Sequence, residues 1–410
     1  MSQAERSAPL SGIDIYSPDV YMPGVPLQQF KRLRDEAPVY WHPYPHDPND
    51  GFWAISRHED VKAVSRDHKR FSAQRGFVMI DDLPEHILPL AQAQLLGMDP
   101  PAHGPIRKAV IERFTTKRLA AMEPMVRAMA QRCIADAKNL VDCNFVFDVA
   151  GNLPTAVICS MFDIPESMWD QIRHWSDLQT AAGDPDLSGT EEEVQQASVE
   201  MGTYGFELAM QRKSEPGDDL ISLLLNVEVE GHTVTEMEFA SLFVQIAVAG
   251  NETTRGLIAS GMHELLKQPE YYQALEANPS KLPVAVEEML RWSTPLHYFR
   301  RTATEAVELH GQQIHENDRV MLMYTSANFD DRVFEAPEQF NPFREKNPHL
   351  AFGHGIHLCL GANLARMEAR IFFEEFFKTF HQPELLSEPV RIRSNLVNGY
   401  KQMPMRLKTR

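Results

Sequence analysis

Apolar residues along the 410-residue chain recur mostly at three- and four-residue spacing and alternate only in short runs, which predicts a mainly α protein with small β-sheets. Residues 27–37 read as a short amphipathic helix. Two strands follow, at 38–41 and 51–55, and would pair in a small sheet near the N-terminus. Residues 59–66 return to helical spacing. Between 72 and 97 the pattern is mixed, with Met79, Ile80, Leu83, Ile87 and Leu88 set among polar residues. This stretch is either a long surface loop with one helix or a flexible lid over an apolar pocket. A helix spans about 98–114. Residues 117–240 look almost wholly helical, with breaks at 151–154, 182–185 and 216–219, and the part from 169 to 213 carries two helices flanking acidic residues 191–193. A long apolar helix covers 243–266. Strand-like runs at 307–310 and 319–324 would turn at Gly311, and a last hairpin would cover 395–400.

Two stretches carry residues that burial alone does not explain. The first interrupts the long apolar helix with Ala249-Gly250-Asn251-Glu252-Thr253-Thr254-Arg255. Buried charge is costly unless satisfied. A threonine hydroxyl bonded back to a carbonyl one turn earlier would be the structural explanation. The second is Phe352-Gly353-His354-Gly355-Ile356-His357-Leu358-Cys359-Leu360-Gly361. Its glycines permit positive φ and close backbone approach, and the segment after it is rich in helix formers. Cys359 therefore sits just ahead of a helix N-terminus, where the dipole and free N–H groups favour a thiolate. A lone thiolate held this way suits the proximal ligand of a haem iron. The alternative is a buried structural cysteine in a capping loop.

Composition narrows the class. The chain is 43% hydrophobic and 24% charged, enough for a large core, and no Gly/Ser linker or repeat divides it. A formal net charge of −17 argues against general binding of nucleic acid or anionic membranes. Besides Cys359 there are Cys133, Cys143 and Cys159, with no CxxC pair and no zinc-like spacing, which fits a reducing compartment. Residues 1–10 contain no apolar core of a signal peptide or membrane anchor, and no apolar run reaches the ~18 residues of a span. The expectation is a soluble cytoplasmic protein.

The cysteine loop resembles the haem-binding signature of the cytochrome P450 family, with no departure at the specified positions Phe352, Gly353, Gly355, His357, Cys359 and Gly361. Three more motifs stand in the family's order. These are His103 with Arg107, the segment around Glu252-Thr253, and Glu288-x-x-Arg291 with Arg344 downstream. The resemblance runs from about Asp99 to the C-terminus, and more loosely over the N-terminal quarter. It implies a single-domain, triangular helical fold, with a β-containing lobe at about 1–95 and a helical haem-binding lobe at about 96–410. It also implies a thiolate-ligated haem b (heme) with Cys359 on the iron, and Phe352, His357, Gly361, Ala249 and Gly250 against the cofactor. His103, Arg107 and Arg301 would reach the propionates, with Arg300 as the fallback for Arg301. The long helix would open locally to admit dioxygen (O2); Thr253 would steady the oxygen being activated and Glu252 would relay protons. Glu288, Arg291 and Arg344 would be structural, with Asn341 where an Asp is usual.

The implied reaction places one atom of O2 in a C–H bond of a hydrophobic small molecule, while the other leaves as water. The chain has no Rossmann fingerprint, flavin domain or ferredoxin-like Cys cluster. Electrons would come from a separate ferredoxin and ferredoxin reductase. Arg107, Lys108, Arg113, Lys117, Arg118, Arg366 and Arg370 would form a basic docking face or an ordinary solvated one. The substrate pocket would draw on Phe77, Val78, Met79, Ile80 and Leu96 in the N-terminal part and Val248 on the long helix. Leu296, His297 and Tyr298 would join them, with Leu396 and Val397 from the last hairpin; His297 and Tyr298 would orient a hydroxyl or carbonyl. Residues 249–255, 291–296 and 324–328 resemble bacterial members acting on steroids, terpenoids and long alkyl chains. A smaller aromatic or terpenoid substrate is the alternative. A peroxide-driven haem enzyme would not need Glu252 and Thr253, and a haem sensor would need an output domain. The chain is expected to act as a monomer.

Overall fold

The computed structural model describes residues 10–180, 183–217 and 219–410. The N-terminal residues expected to lack an anchor, and the predicted chain breaks at Ala182 and Asp218, lie wholly or partly outside them.

The molecule is built around one helix, Glu236–Lys267, whose Phe239, Leu242, Phe243, Leu257, Ile258 and Met262 are buried. It starts seven residues before the predicted apolar run. Thr235 is the reason: its hydroxyl accepts from the Glu238 N–H while the Glu238 carboxylate accepts from the Thr235 N–H, closing a capping box. Around it pack Asn152–Met161, Trp169–Thr180, Glu191–Ser214, Leu282–Ser293 and Ala362–Thr379. The last of these follows the cysteine loop and buries Leu364, Phe372, Phe373 and Phe376.

A five-stranded sheet flanks this helical body in the order Val39–Pro43, Gly51–Ile55, Arg319–Met323, Tyr298–Ala303, Phe71–Ser72. The N-terminal hairpin forms as expected, with Tyr40 opposite Ala54. Two strands from much later in the chain join it. Residues 319–322 pair in parallel with 52–55 and antiparallel with 299–302. This corrects the predicted 307–324 hairpin: Val307–Leu309 instead pairs with Gln312–Ile314 across His310-Gly311. Val320, Met321, Leu322 and Met323 are buried in succession, the signature of a central strand covered on both faces.

Residues 117–240 are less uniformly helical than predicted. Asp142–Asn144 pairs with the C-terminal strand Pro404–Thr409, and Glu228–Val229 pairs with His232–Thr233. Strands of two or three residues are too short to show a period. At the C-terminus Val390–Arg391 pairs with Tyr400–Gln402, so residues 395–399 belong to the loop of that hairpin and Tyr400 opens its second strand, while Val397 bridges to Leu296. Among the described residues no helix is long and apolar enough to cross a membrane.

Candidate active site

The cysteine loop is short and tightly held. Gly353 and Gly355 have φ of +70° and +76°, and a Cβ at Gly355 would come within 2.2 Å of Ser65 O, so this position demands glycine on both counts. The Cys359 N–H donates to Phe352 O (2.9 Å), closing the loop two residues ahead of the Gly361 N-cap. Cys359 is exposed by surface area and lines a depression of about 420 Å³ together with Arg107, Phe114, Leu358 and Arg366. Crowding by its surroundings pushes its thiol pKa up, against the pull of the Gly361 N–H and of Arg107 and Arg366. In the polypeptide alone burial outweighs the expected helix-terminal effect. A bound cation would reverse that balance. Cys133, Cys143 and Cys159 are buried and raised to about 11, 11 and 12, inert by comparison.

Beside the loop the fold gathers cationic and donor groups. His103 opens the helix His103–Ile111, and its ring centroid lies 4.6 Å from that of His357. Both rings are buried, and Nε2 of each has no hydrogen-bond partner. Burial together with neighbouring cations lowers His103 to about 4 and His357 to about 2; Arg107 acts on both, and Arg301 leads for His357. Arg301 is buried and, among the described residues, donates only to the Arg300 carbonyl (2.7 Å). Arg300 points elsewhere, to Asp82 (2.7 Å) and Ile80 O (3.1 Å), and clamps the 76–82 segment to the sheet. This removes Arg300 as the fallback. Arg107 donates to Leu358 O at 2.6 Å.

On the long helix Ala249 is exposed although Ala247 and Asn251, on either side, are buried, so the helix centre faces a gap. The helix is continuous through its polar cluster, which corrects the expectation of a local opening. The Thr253 hydroxyl donates to Ala249 O (2.7 Å), the back-bond one turn earlier that a threonine inside a helix can make. Gly250 lies against Ile158, where a Cβ would sit 3.2 Å from Cδ1.

Glu252 is buried and turned away from Thr253 to an ion pair with Arg255. Arg255 continues to Asp177 (2.7 Å) on the helix Trp169–Thr180 and lies over the Phe147 ring at 4.6 Å. The structure thus does not bring the two expected relay residues together. Arg255, Asp177 and Phe147 had been missed, although the Glu252-x-x-Arg255 spacing was there to read.

Glu288, Arg291 and Arg344 do meet. Arg291 donates to both Glu288 oxygens (2.7 and 2.8 Å), and Arg344 Nε donates at 3.0 Å. Asn341 contributes its backbone N–H to Glu288 (2.9 Å), and Asn347 adds a further donor (3.0 Å).

The expected apolar lining divides. Leu296 and Val397 bridge, Leu396, Leu96, Phe77 and Val248 are half-buried, Val78 is buried, and Met79 is 38% exposed. Ile80 and Tyr298 are corrections: they fill the core of the sheet with Tyr40 and Phe52, and the Tyr298 hydroxyl accepts from the Ile80 N–H (3.4 Å). Strand alternation turns Tyr298 to that side. His297 lies 4.6 Å from the Tyr21 ring, with Nδ1 bonded to the Thr325 hydroxyl (2.8 Å). The basic face is also smaller than expected. Arg370 pairs with Glu123 and Glu374, and Arg366 with Glu287, whereas Lys62, which had been passed over, lines the cysteine depression.

A family model described as Cytochrome P450 matches residues 206–395. The chain is 36% identical to a steroid C26-monooxygenase of Rhodococcus jostii over 97% of its own length and 85% of that protein's. It is 37% identical to a methyl-branched lipid omega-hydroxylase of Mycobacterium tuberculosis, over 97% of this chain and 95% of that protein. Among solved structures, a Mycobacterium marinum cytochrome P450 in complex with pseudoionone superposes with a TM-score of 0.91 at 34% identity, covering 97% of this chain and 99% of that one.

Proposed function

The chain belongs to the cytochrome P450 family and is a monooxygenase, and from that premise we propose that it hydroxylates the alkyl side chain of a steroid or the end of a methyl-branched lipid. The observation that carries the reading is the grouping of Cys359 on its closed loop with buried His103 and His357, whose Nε2 atoms have no hydrogen-bond partner among the described residues, and with the buried guanidinium of Arg301. These residues fit a haem. Cys359 would ligate its iron, and His103, Arg107, Arg301 and His357 would receive its two carboxylates. Phe352, Ala249, Gly250 and Gly361 would lie against its faces; a Cβ at Gly361 would meet no protein atom within 4 Å. When bound, thiolate-ligated haem supplies the chemistry of reductive dioxygen activation.

The chain's own groups handle protons and orientation. Thr253 Oγ1 offers a hydroxyl at the exposed centre of the long helix, beside Ala249. Glu252 holds the proton-accepting carboxylate one residue away, on the other side of the helix. A relay between them needs the Glu252 side chain to swing off Arg255, which Asp177 would still neutralise. Phe77, Val78, Leu96, Val248, Leu296, Leu396 and Val397 would exclude water and set the orientation of an apolar substrate. Electrons would reach the site from a ferredoxin and its reductase across the face formed by Lys62, Arg107, Lys108, Lys117 and Arg118. The protein would work in the cytoplasm as a monomer.

The pseudoionone complex of the Mycobacterium marinum structure supports a second reading, a smaller terpenoid-like substrate. Titrating the haem absorption with a side-chain-bearing steroid, a methyl-branched fatty acid and pseudoionone, followed by product analysis with a ferredoxin system, separates the two. Binding and terminal hydroxylation of either long ligand supports the first reading. Turnover confined to the short one supports the second.

A further inference from the structure

Glu287 precedes the structural Glu288, and no sequence motif assigns it a role. It lies on the helix Leu282–Ser293 and faces the back of the cysteine loop. Arg366, on the helix after the cysteine, donates to both its oxygens, Nε at 2.6 Å and Nη2 at 2.9 Å. His349, at the entry to the loop, approaches Glu287 Oε2 through Nε2 at 3.1 Å. The Ala351 N–H donates to His349 Nδ1 (3.2 Å), so Nε2 carries the proton and donates to the carboxylate. The same two donors flank one ring: the Arg366 guanidinium lies 4.7 Å above Phe352, and the His349 ring lies 6.0 Å from it. Phe352 in turn accepts the Cys359 N–H through its carbonyl.

We propose that Glu287, His349 and Arg366 form a brace that positions Phe352 and, through it, the cysteine that ligates haem iron. The proposal rests on Cys359 being that ligand. Arg366, first placed on the docking face, is here a positioning residue, because its charge is spent on Glu287 and its plane on Phe352. The contacts already described hold the 353–359 part of the loop; the brace holds its entry at Phe352. An anchor from two separate helices is what keeps the sulfur from drifting off the metal.

The test uses holoenzyme of wild type, Glu287→Gln, Glu287→Asp and Arg366→Lys. The Gln variant weakens the pair, and the Lys variant keeps the charge but removes the planar stack. The first readout is the carbon monoxide band of the reduced protein during mild heating. The second is hydrogen exchange of the 350–361 segment, and the third is the haem reduction potential. Glu287→Gln and Arg366→Lys are expected to lose the thiolate-type band roughly tenfold faster, the size of one lost charge-assisted hydrogen bond. Exchange in 350–361 rises and the potential moves, while Glu287→Asp restores much of both. If thiolate loss, exchange and potential match wild type in both variants, the brace is refuted. Effects in Glu287→Gln with none in Arg366→Lys overturn the route through Phe352. A variant that fails to fold is replaced by His349→Gln, read in the same way. Absence of a thiolate-type band in wild type itself would instead overturn the haem-ligand reading.

Discussion

Two buried Glu-x-x-Arg pairs, each spaced one turn along its own helix, are held by very different sets of partners in this molecule. Glu288 and Arg291 are both fully buried, and the carboxylate accepts five hydrogen bonds, from Arg291, Arg344, Asn341 and Asn347. Glu252 and Arg255 are buried almost as deeply, but among the described residues Arg255 is the one cation paired with Glu252, and it divides its charge with Asp177 on another helix. A saturated pair is a bolt, because any movement strands several groups at once. The Glu252 pair has one cation, which would keep a second carboxylate, Asp177, if Glu252 departed. The same four-residue pattern thus marks a pin held by many partners in one place and, under the proposed relay, a releasable acid in the other. What separates them is the set of partners supplied by distant chain.

Glu288→Ala breaks the comparison most severely. It leaves Arg291 and Arg344 uncompensated in the interior and is expected to cost about 3–5 kcal/mol, read as lost soluble yield or a large fall in the urea midpoint. A near-normal midpoint would deny the bolt. Glu368 extends the series to a buried glutamate whose Oε2 has no partner and whose pKa burial pushes up to about 8. In the folded chain it stays protonated after the unfolded chain has ionised. Stability that is full below the usual carboxylate range is thus lost as pH rises towards 8, by up to about 1.4 kcal/mol per pH unit. Glu368→Gln should flatten this slope in urea melts between pH 5 and 8; an unchanged slope would assign it elsewhere. Glu252→Gln should fold normally and slow hydroxylation by roughly 10²-fold with an altered solvent isotope effect. A collapse in stability like that of Glu288→Ala would erase the distinction. Asp177→Asn is the mildest: Arg255 is left to Glu252 alone, giving a loss of about 1 kcal/mol and slower turnover, because the acid is now held harder. Faster turnover would contradict the proposed release.

The long helix and the cysteine loop were legible because each rests on local pattern, apolar period and glycine punctuation; the Glu288 cluster was legible only through the resemblance, since a Glu-x-x-Arg spacing alone specifies little. The sheet was legible only as its N-terminal hairpin, since Arg319–Met323 is assigned by pairing across more than 260 residues. Which way Glu252 points, and that Ile80 and Tyr298 turn into the sheet core, depend on neighbours that no spacing announces. The same holds for Glu287, whose partners His349 and Arg366 lie 62 and 79 residues away in sequence. Local pattern reveals which residues carry chemistry; long-range packing decides which of them are free to use it.

The most direct test of the central claim is the carbon monoxide spectrum of the reduced protein, wild type against Cys359→Ser. The account expects a strongly red-shifted, thiolate-type Soret band in wild type, and its loss in a variant that still folds. A folded wild type that takes up no haem, or a Cys359→Ser protein that keeps the thiolate-type band, would contradict it.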